Sequence, residues 1–518
     1  MNSPPALSKP GSGAKGPPAR FTARNWHKWA GVFGLLWLST MGVTGWLINH
    51  REDWDWLWQH GVPVAMLPKS SAVSAEVGLA RLLQINPSNS HTEIAAGARG
   101  AWWSVDGGTT WAAAATGTTL PLIITAMEPS PDWDRVWFAT NDGIWVSTDA
   151  AHSLRPFCLS GVRISSLAQG ASDSELVGVA ERSRIFRLRI NSAGPPVISW
   201  LSVSPPGDSA LLPGTSLNRL TLDLHYGRGI FPPPWGERLQ DVLGLGLAFL
   251  GLTGAALWIL PQVWRRKRMT GNKLPPARAR RAIFVWLIRI HGKWLGPVIA
   301  LPLALIFATG PYIGHYAVLS PLFKATPVSI SALPPTYHLG TLRNWIECIA
   351  AYPGKPTCLS IGTRTGLFTS DNNGRTWRQE ADVNGGVYHL RRIDNQLIAA
   401  NGMSGTTQRL TRGGWRAVAP GSHIAMASEV TSNGHGGLLW KHGSMLHISD
   451  GDGREVEAHA FKGPHAQFVP FYTVAASIHT GSIFWAHWRW CNDLFAVTGL
   501  VLLGTGLVRW WRLVRPGG

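Results

Sequence analysis

Acidic side chains are scarce in this chain. Its 518 residues hold 29 Asp+Glu against 47 Lys+Arg, a formal charge of +18. Such an excess points to nucleic acid or to an anionic membrane surface. The densest run, Arg265-Arg266-Lys267-Arg268, is continued by Lys273, Arg278, Arg280 and Arg281 and lies between two apolar segments. Basic loops beside apolar spans mark the inner side of a membrane. The charge is therefore read as topology, with the lipid bilayer as partner and no nucleic acid. Cysteine is rare too, at four residues. Cys348 and Cys358 are spaced to allow a disulfide. Cys158 is the odd one of the first outer segment, and Cys491 is read as a buried thiol at a membrane edge. No Gly-rich nucleotide motif appears in the inner loops, which leaves an NADH or flavin site to another protein.

Four stretches are apolar enough to cross a bilayer, roughly Ala30–Ile48, Val242–Leu260, Leu295–Ile313 and Leu494–Val508. A span needs about 20 residues at a rise of about 1.5 Å each. The fourth is short as an apolar run, but Trp485, Trp488 and Trp490 precede it and Trp510 and Trp511 follow, as in an interfacial aromatic belt. Gly45-Trp46-Leu47-Ile48-Asn49-His50 offers no small-x-small cleavage site, so the first span reads as an uncleaved anchor. The expected division is a cytoplasmic head (1–25), span one (26–50), a periplasmic β-rich segment (51–238), span two (239–262), a basic cytoplasmic loop (263–284), span three (285–315), a second periplasmic β-rich segment (316–488), span four (489–512) and a cytoplasmic tail (513–518). In a bacterium this places the chain in the inner membrane with both termini inside.

The two halves repeat. Trp26-His27-Lys28-Trp29-Ala30-Gly31, then Thr44-Gly45 and His50, matches His291-Gly292-Lys293-Trp294-Leu295-Gly296, then Thr309-Gly310 and His315, with one residue inserted. Leu224-His225-Tyr226-Gly227, then Asp241 and Thr253-Gly254, matches Ile478-His479-Thr480-Gly481, then Asp493 and Thr505-Gly506. Ordered His, Asp and Thr-Gly matches imply an internal duplication, a known route to membrane bundles.

Both outer segments have short apolar runs, many turn residues and no long helical period, which predicts β-structure. Ser104-Val105-Asp106-Gly107-Gly108-Thr109-Thr110-Trp111 resembles Ser370-Asp371-Asn372-Asn373-Gly374-Arg375-Thr376-Trp377, with a weaker relative at Ser147-Thr148-Asp149-Ala150-Ala151-His152. The pattern resembles the Asp-box, or BNR, repeat of β-propeller proteins, in which Asp and Asn bond the turn backbone and Gly supplies a positive φ. It marks a fold and not a catalytic site, so a glycosidase reading is set aside. Each segment has length for about four blades at the period of propellers. The expected fold is a four-helix membrane bundle plus an all-β domain. One seven- or eight-bladed propeller shared by both halves is the favoured form, and two separate β-domains are the alternative.

Six histidines stand at membrane edges: His27 and His291 inside, and His50, His315, His225 and His479 outside. Ionisable groups at membrane depth are costly and are functional candidates. Each alone reads as an interfacial side chain, but recurrence in two halves supplies the opposed pairs that a haem iron takes as axial ligands.

The spans resemble the PepSY-associated transmembrane family, which opens a span with His-x-x-x-Gly and closes it with Thr-Gly, as His27, Gly31, Thr44 and Gly45 do. It also places Leu-His-x-Gly-Arg before a span, as Leu224-His225-Tyr226-Gly227-Arg228 does. Some members resemble inner-membrane reductases of ferric siderophores with bis-His haem b. The resemblance implies electron transfer through one or more haems b to a periplasmic iron-siderophore, from a quinol or a partner reductase. Two departures stand: no PepSY domain is recognisable outside, and His291 has one residue too many before Gly296. His27 with His291 is the first choice for an inner haem. The outer ligands are chosen among His225, His479, His50 and His315. Asp241 and Asp493 are read as helix caps or orienting groups, and the Thr-Gly pairs as close-packing sites or room for a flat porphyrin. The alternative function is a membrane-anchored propeller that binds or senses a ligand without redox activity.

Overall fold

Backbone groups in lipid find partners only within their own helix, so the apolar stretches must be helical. The computed structural model describes residues 22–514 with interruptions, the longest at 69–79, 204–213, 338–345 and 418–428. Most of the head read at 1–25 and the end of the tail read at 513–518 lie outside the described residues. Four helices are long and apolar enough to cross a membrane: Ala23–Asn49, Trp235–Met269, Ala277–Gly314 and Arg489–Arg512. This is a multi-pass membrane protein. Leu38, Leu243, Ile299, Leu303, Phe307 and Ala496 form the buried core between the spans. Leu36, Val298 and Leu301 point outward and are largely exposed, as side chains facing lipid are.

Two features depart from the sequence reading. The stretch 263–284 is mostly helix: span two runs through Arg265–Arg268 to Met269, and a helix resumes at Ala277. Arg and Lys are good helix formers, and the break waits for Gly271 and the Pro275-Pro276 pair. The residue inserted after His291 is absorbed in a π-helical turn, Arg289–Leu295, in which the Gly296 N–H reaches the His291 carbonyl five residues back. A π turn accommodates one extra residue without breaking the helix.

Beyond the membrane, six four-stranded antiparallel sheets are present among the described residues. They span 82–113, 124–158, 164–200, 346–379, 387–417 and 429–460. Neighbouring sheets pack in that order, and the sixth returns to the first, so the ring is closed. This is one six-bladed β-propeller with three blades from each half. The expectation of seven or eight blades is corrected: part of each outer segment goes into a stem rather than blades. In the stem, Gly61–Pro63 pairs with Phe468–Pro470 and Gly214–Ser216 pairs with Pro327–Ser329, each joining one half to the other. The helices Leu217–His225 and Phe471–Thr480 follow two of these strands. They lie in segments read as β-rich and pack against spans three and one.

The turn motif repeats in three blades. Ser104 Oγ accepts from Gly108 N at 3.0 Å and Asp106 Oδ1 from Thr110 N at 2.9 Å. Ser370 and Asn372 do the same for Gly374 N and Thr376 N, at 2.8 and 2.9 Å. Ser147 and Asp149 do so for Ala151 N and Ser153 N, at 2.8 and 2.9 Å. The residue at the bend has φ of 75° in Gly108, 78° in Gly374 and 68° in Ala151, which explains the preference for Gly. Cys348 and Cys358 are both free thiols. The strand register sets Cys348 against Gly362, not Cys358, so the expected disulfide is corrected. Cys158 is also free, and Cys491 is half-buried at the start of span four.

Charge is divided by the membrane. Residues 1–30, 261–294 and 509–518 contain 18 Lys and Arg and no Asp or Glu, which leaves 29 residues of each sign for everything else. Among the described residues, the span ends away from the propeller carry Lys and Arg and no Asp or Glu.

Candidate functional site

Each Thr-Gly pair holds a histidine that belongs to the other half of the chain. His27 Nδ1 lies 3.0 Å from Thr505 Oγ1, and His291 Nδ1 lies 2.9 Å from Thr253 Oγ1. On the propeller side, His225 Nδ1 lies 3.0 Å from Thr309 Oγ1, and His479 Nδ1 lies 3.0 Å from Thr44 Oγ1. The direction of these bonds is fixed by a second one. Every threonine hydroxyl donates to the carbonyl four residues back: Thr505 to Val501 at 2.6 Å, Thr253 to Phe249 at 2.8 Å, Thr309 to Leu305 at 2.7 Å and Thr44 to Thr40 at 2.7 Å. A hydroxyl has one proton, so each threonine can only accept from the imidazole. The carbonyl three residues before each threonine is a further acceptor, as Leu502 is for His27 at 3.2 Å. All four rings therefore carry the proton on Nδ1 and a lone pair on Nε2, the form in which neutral imidazole binds a metal.

The glycines of the pairs complete the arrangement. A Cβ on Gly506 or Gly254 would stand 3.4 Å from Cε1 of His27 or His291, and on Gly45 3.3 Å from Cε1 of His479. On Gly310 it would stand 3.8 Å from Cε1 of His225. Glycine thus keeps the helix surface flat beside each ring.

The rings form two layers. His27 and His291 have centroids 6.1 Å apart with planes at 86°, on the basic side. His225 and His479 lie toward the propeller, against Thr309 of span three and Thr44 of span one. On span one, His27 and Thr44 are separated by about 25 Å of helix, so the layers sit toward opposite ends of the bundle.

His50 and His315 are engaged elsewhere. His50 Nε2 is 3.2 Å from Asp241 and its Nδ1 is 3.4 Å from Asp53, while the ring stacks on Trp54 at 4.2 Å. His315 Nε2 is 2.6 Å from Asp493. A carboxylate bonds Nε2 of each of these two rings, so His50 and His315 are held differently from the four histidines that meet threonines. Asp241 and Asp493 orient these two rings. Sequence reasoning found all the histidines but not the part played by Thr44, Thr253, Thr309 and Thr505. The available signal was that each half repeats three edge histidines together with two Thr-Gly pairs. Among the described residues, no group of three or more His, Cys, Asp or Glu comes together to hold a metal ion.

Around the propeller-side layer, His225 meets Tyr226 edge-on at 5.7 Å. The helix that ends at His225 is fixed by Arg219, whose guanidinium pairs with Asp223 at 2.7 Å, and by Tyr337, which donates to Asp223 at 2.8 Å.

Among solved structures, the GH74 xyloglucanase from Xanthomonas campestris is 12% identical, with a TM-score of 0.34, covering 75% of this chain and 46% of its own. The Swd1 β-propeller domain from Myceliophteria thermophila is 8% identical, with a TM-score of 0.35, covering 76% of this chain and 89% of its own. An ancestral GH74 enzyme is 8% identical, with a TM-score of 0.33, covering 75% of this chain. The chain spans 39% and 46% of the two GH74 structures. No curated protein matches the sequence. Residues 24–512, spans and propeller together, match the PepSY-associated TM region, and the chain belongs to that family.

Proposed function

We propose that this protein carries electrons across a bacterial inner membrane through two b-type haems, held by His27 with His291 and by His225 with His479. The acceptor is a ferric siderophore outside. The observation that carries the reading is the fourfold His–Thr anchor, which leaves an unprotonated Nε2 on each of two ring pairs. The residues fit the group. Two imidazoles bound to one iron at metal–nitrogen distances of about 2 Å have centroids about 6 Å apart, and His27 and His291 stand at 6.1 Å. Gly45, Gly254 and Gly506 leave space where a Cβ would stand 3.3–3.4 Å from the ring edges.

Haem supplies a one-electron iron couple, and the chain does the rest. Thr44, Thr253, Thr309 and Thr505 fix ring orientation and tautomer, the outer-shell control that tunes a metal site. The apolar core of Leu38, Leu243, Leu303 and Phe307 keeps water and ions out of the space between the layers. The acid-free basic side faces the cytoplasm by the positive-inside rule, which puts the propeller in the periplasm. The electron donor is then a quinol or a partner reductase at the His27 layer, and each electron converts ferric to ferrous iron at the propeller side.

The test is a reduced-minus-oxidised spectrum of the purified full-length protein with haem counted per chain. Two haems b with bis-imidazole spectra are expected. A colourless protein from haem-sufficient cells would overturn the reading.

A further inference from the structure

Span two runs on to Met269, and the helix of span three begins at Ala277. The two ends form a helical hairpin, joined where the Arg280 guanidinium lies over the Trp264 ring at 6.0 Å. The helices run in opposite directions, so this contact sets the level of their neighbours. Arg266 and Arg278 each stand about 3 Å of rise beyond it, away from the membrane. Arg265 and Arg281 stand about 1.5 Å to either side of it. Five arginines are thus anchored within about one helical turn of a single level. No Asp or Glu occurs between 261 and 294. Among the described residues, none of the five takes part in an ion pair. Arg280 Nε is buried without a hydrogen-bond partner.

Two rows of exposed apolar side chains lead to this level. Ile259 and Val263 are exposed on span two, and Arg266 continues their face at helical spacing. Ile288 and Val285 are exposed on span three, and Arg281 and Arg278 continue theirs in the same way. All three of these arginines are exposed. Depth agrees with this arrangement. The exposed Val, Leu and Ile side chains of span two run from Val242 to Val263, which is about 32 Å of helix. The hydrocarbon of a bilayer is about 30 Å thick. The arginine level follows directly after Val263, where lipid phosphates lie. A positive-inside bias asks only for cations somewhere in the loop. Gathering five at one depth raises their mutual repulsion unless an anion joins them.

We propose that this hairpin binds the phosphate of an anionic phospholipid in the leaflet away from the propeller, with Arg266, Arg278 and Arg281 as contacts and the acyl chains along Val263 and Val285. The planar guanidinium fork matches phosphate oxygens, and basic clusters beside a span recognise anionic headgroups. Arg280 stays with Trp264 and holds the two helices together. The site stands independently of the electron-transfer reading.

The experiment is native mass spectrometry of the delipidated full-length protein in detergent, titrated with dioleoylphosphatidylglycerol and, separately, with dioleoylphosphatidylcholine. Saturable binding of the anionic lipid is expected, at least about tenfold tighter than that of the zwitterionic one. Arg266→Gln and Arg281→Gln are each expected to weaken it about fivefold, and the pair together about 25-fold. Arg512→Gln removes an exposed cation at the same end of span four and is expected to leave binding unchanged. Inorganic phosphate at the lipid's concentration is expected not to displace it, because it has no chains to lie on the apolar rows. Equal binding of the two lipids, equal loss in R512Q and R266Q, or displacement by inorganic phosphate would overturn the proposal.

Discussion

His479 donates from Nδ1 to Thr44 Oγ1 at 3.0 Å, while the threonine proton is committed to the Thr40 carbonyl at 2.7 Å. One methyl-sized change tests what this bond does. Thr44→Val keeps shape and removes the acceptor. Loss of an outer-shell partner typically costs about 10–100-fold in metal affinity. T44V is expected to lower haem occupancy of the propeller-side layer alone and to shift its midpoint potential, with Thr505→Val doing the same for the basic-side layer. Potentiometric titration of the reduced band separates the two.

The histidines divide into two classes by their partners. Replacing His27 or His291 by Ala is expected to halve the haem per chain, as is replacing His225 or His479. His50→Ala and His315→Ala are expected to keep both haems, because their ring nitrogens face Asp241, Asp53 and Asp493. Haem counts in the six variants check this directly, and loss of one haem in H50A or H315A would contradict it.

Asp223 anchors the helix that presents His225. Its side chain is 4% exposed and bonded to Arg219 and Tyr337. Removing one partner of a buried pair strands the other and costs about 3–5 kcal/mol. Asp223→Ala is expected to lower the thermal midpoint and to deplete the propeller-side haem before the basic-side one. Equal depletion of both layers would show that the helix is not held in this way.

Glu93 lies behind the turn of the first blade, where burial and then the nearby Asp106 push its carboxyl up to about 7. A carboxyl with a raised folded pKa favours folding while protonated. Its contribution is full below the unfolded value of 4.5 and is lost as pH rises through about 7. Wild-type stability is expected to fall across that window, and Glu93→Gln is expected to flatten the fall. Thermal midpoints measured from pH 5 to pH 8 decide it.

The sequence alone was enough for the spans, because lipid imposes length and apolarity on each one independently of its neighbours. It was enough for the duplication too, since His, Asp and Thr-Gly recur in order. It also located the turn motif, whose hydrogen bonds close within a few residues. Tertiary structure decided the pairings. That Thr505 serves His27, or Thr44 serves His479, depends on contacts more than 400 residues apart in the chain. The two histidine classes likewise separated only when Asp241 and Asp493 were seen to occupy one of them. Blade number depended on how much chain the stem consumes. The extra residue before Gly296, a mismatch when read in one dimension, is a single π turn in three, because a helix can widen locally and still present His291 to its partner.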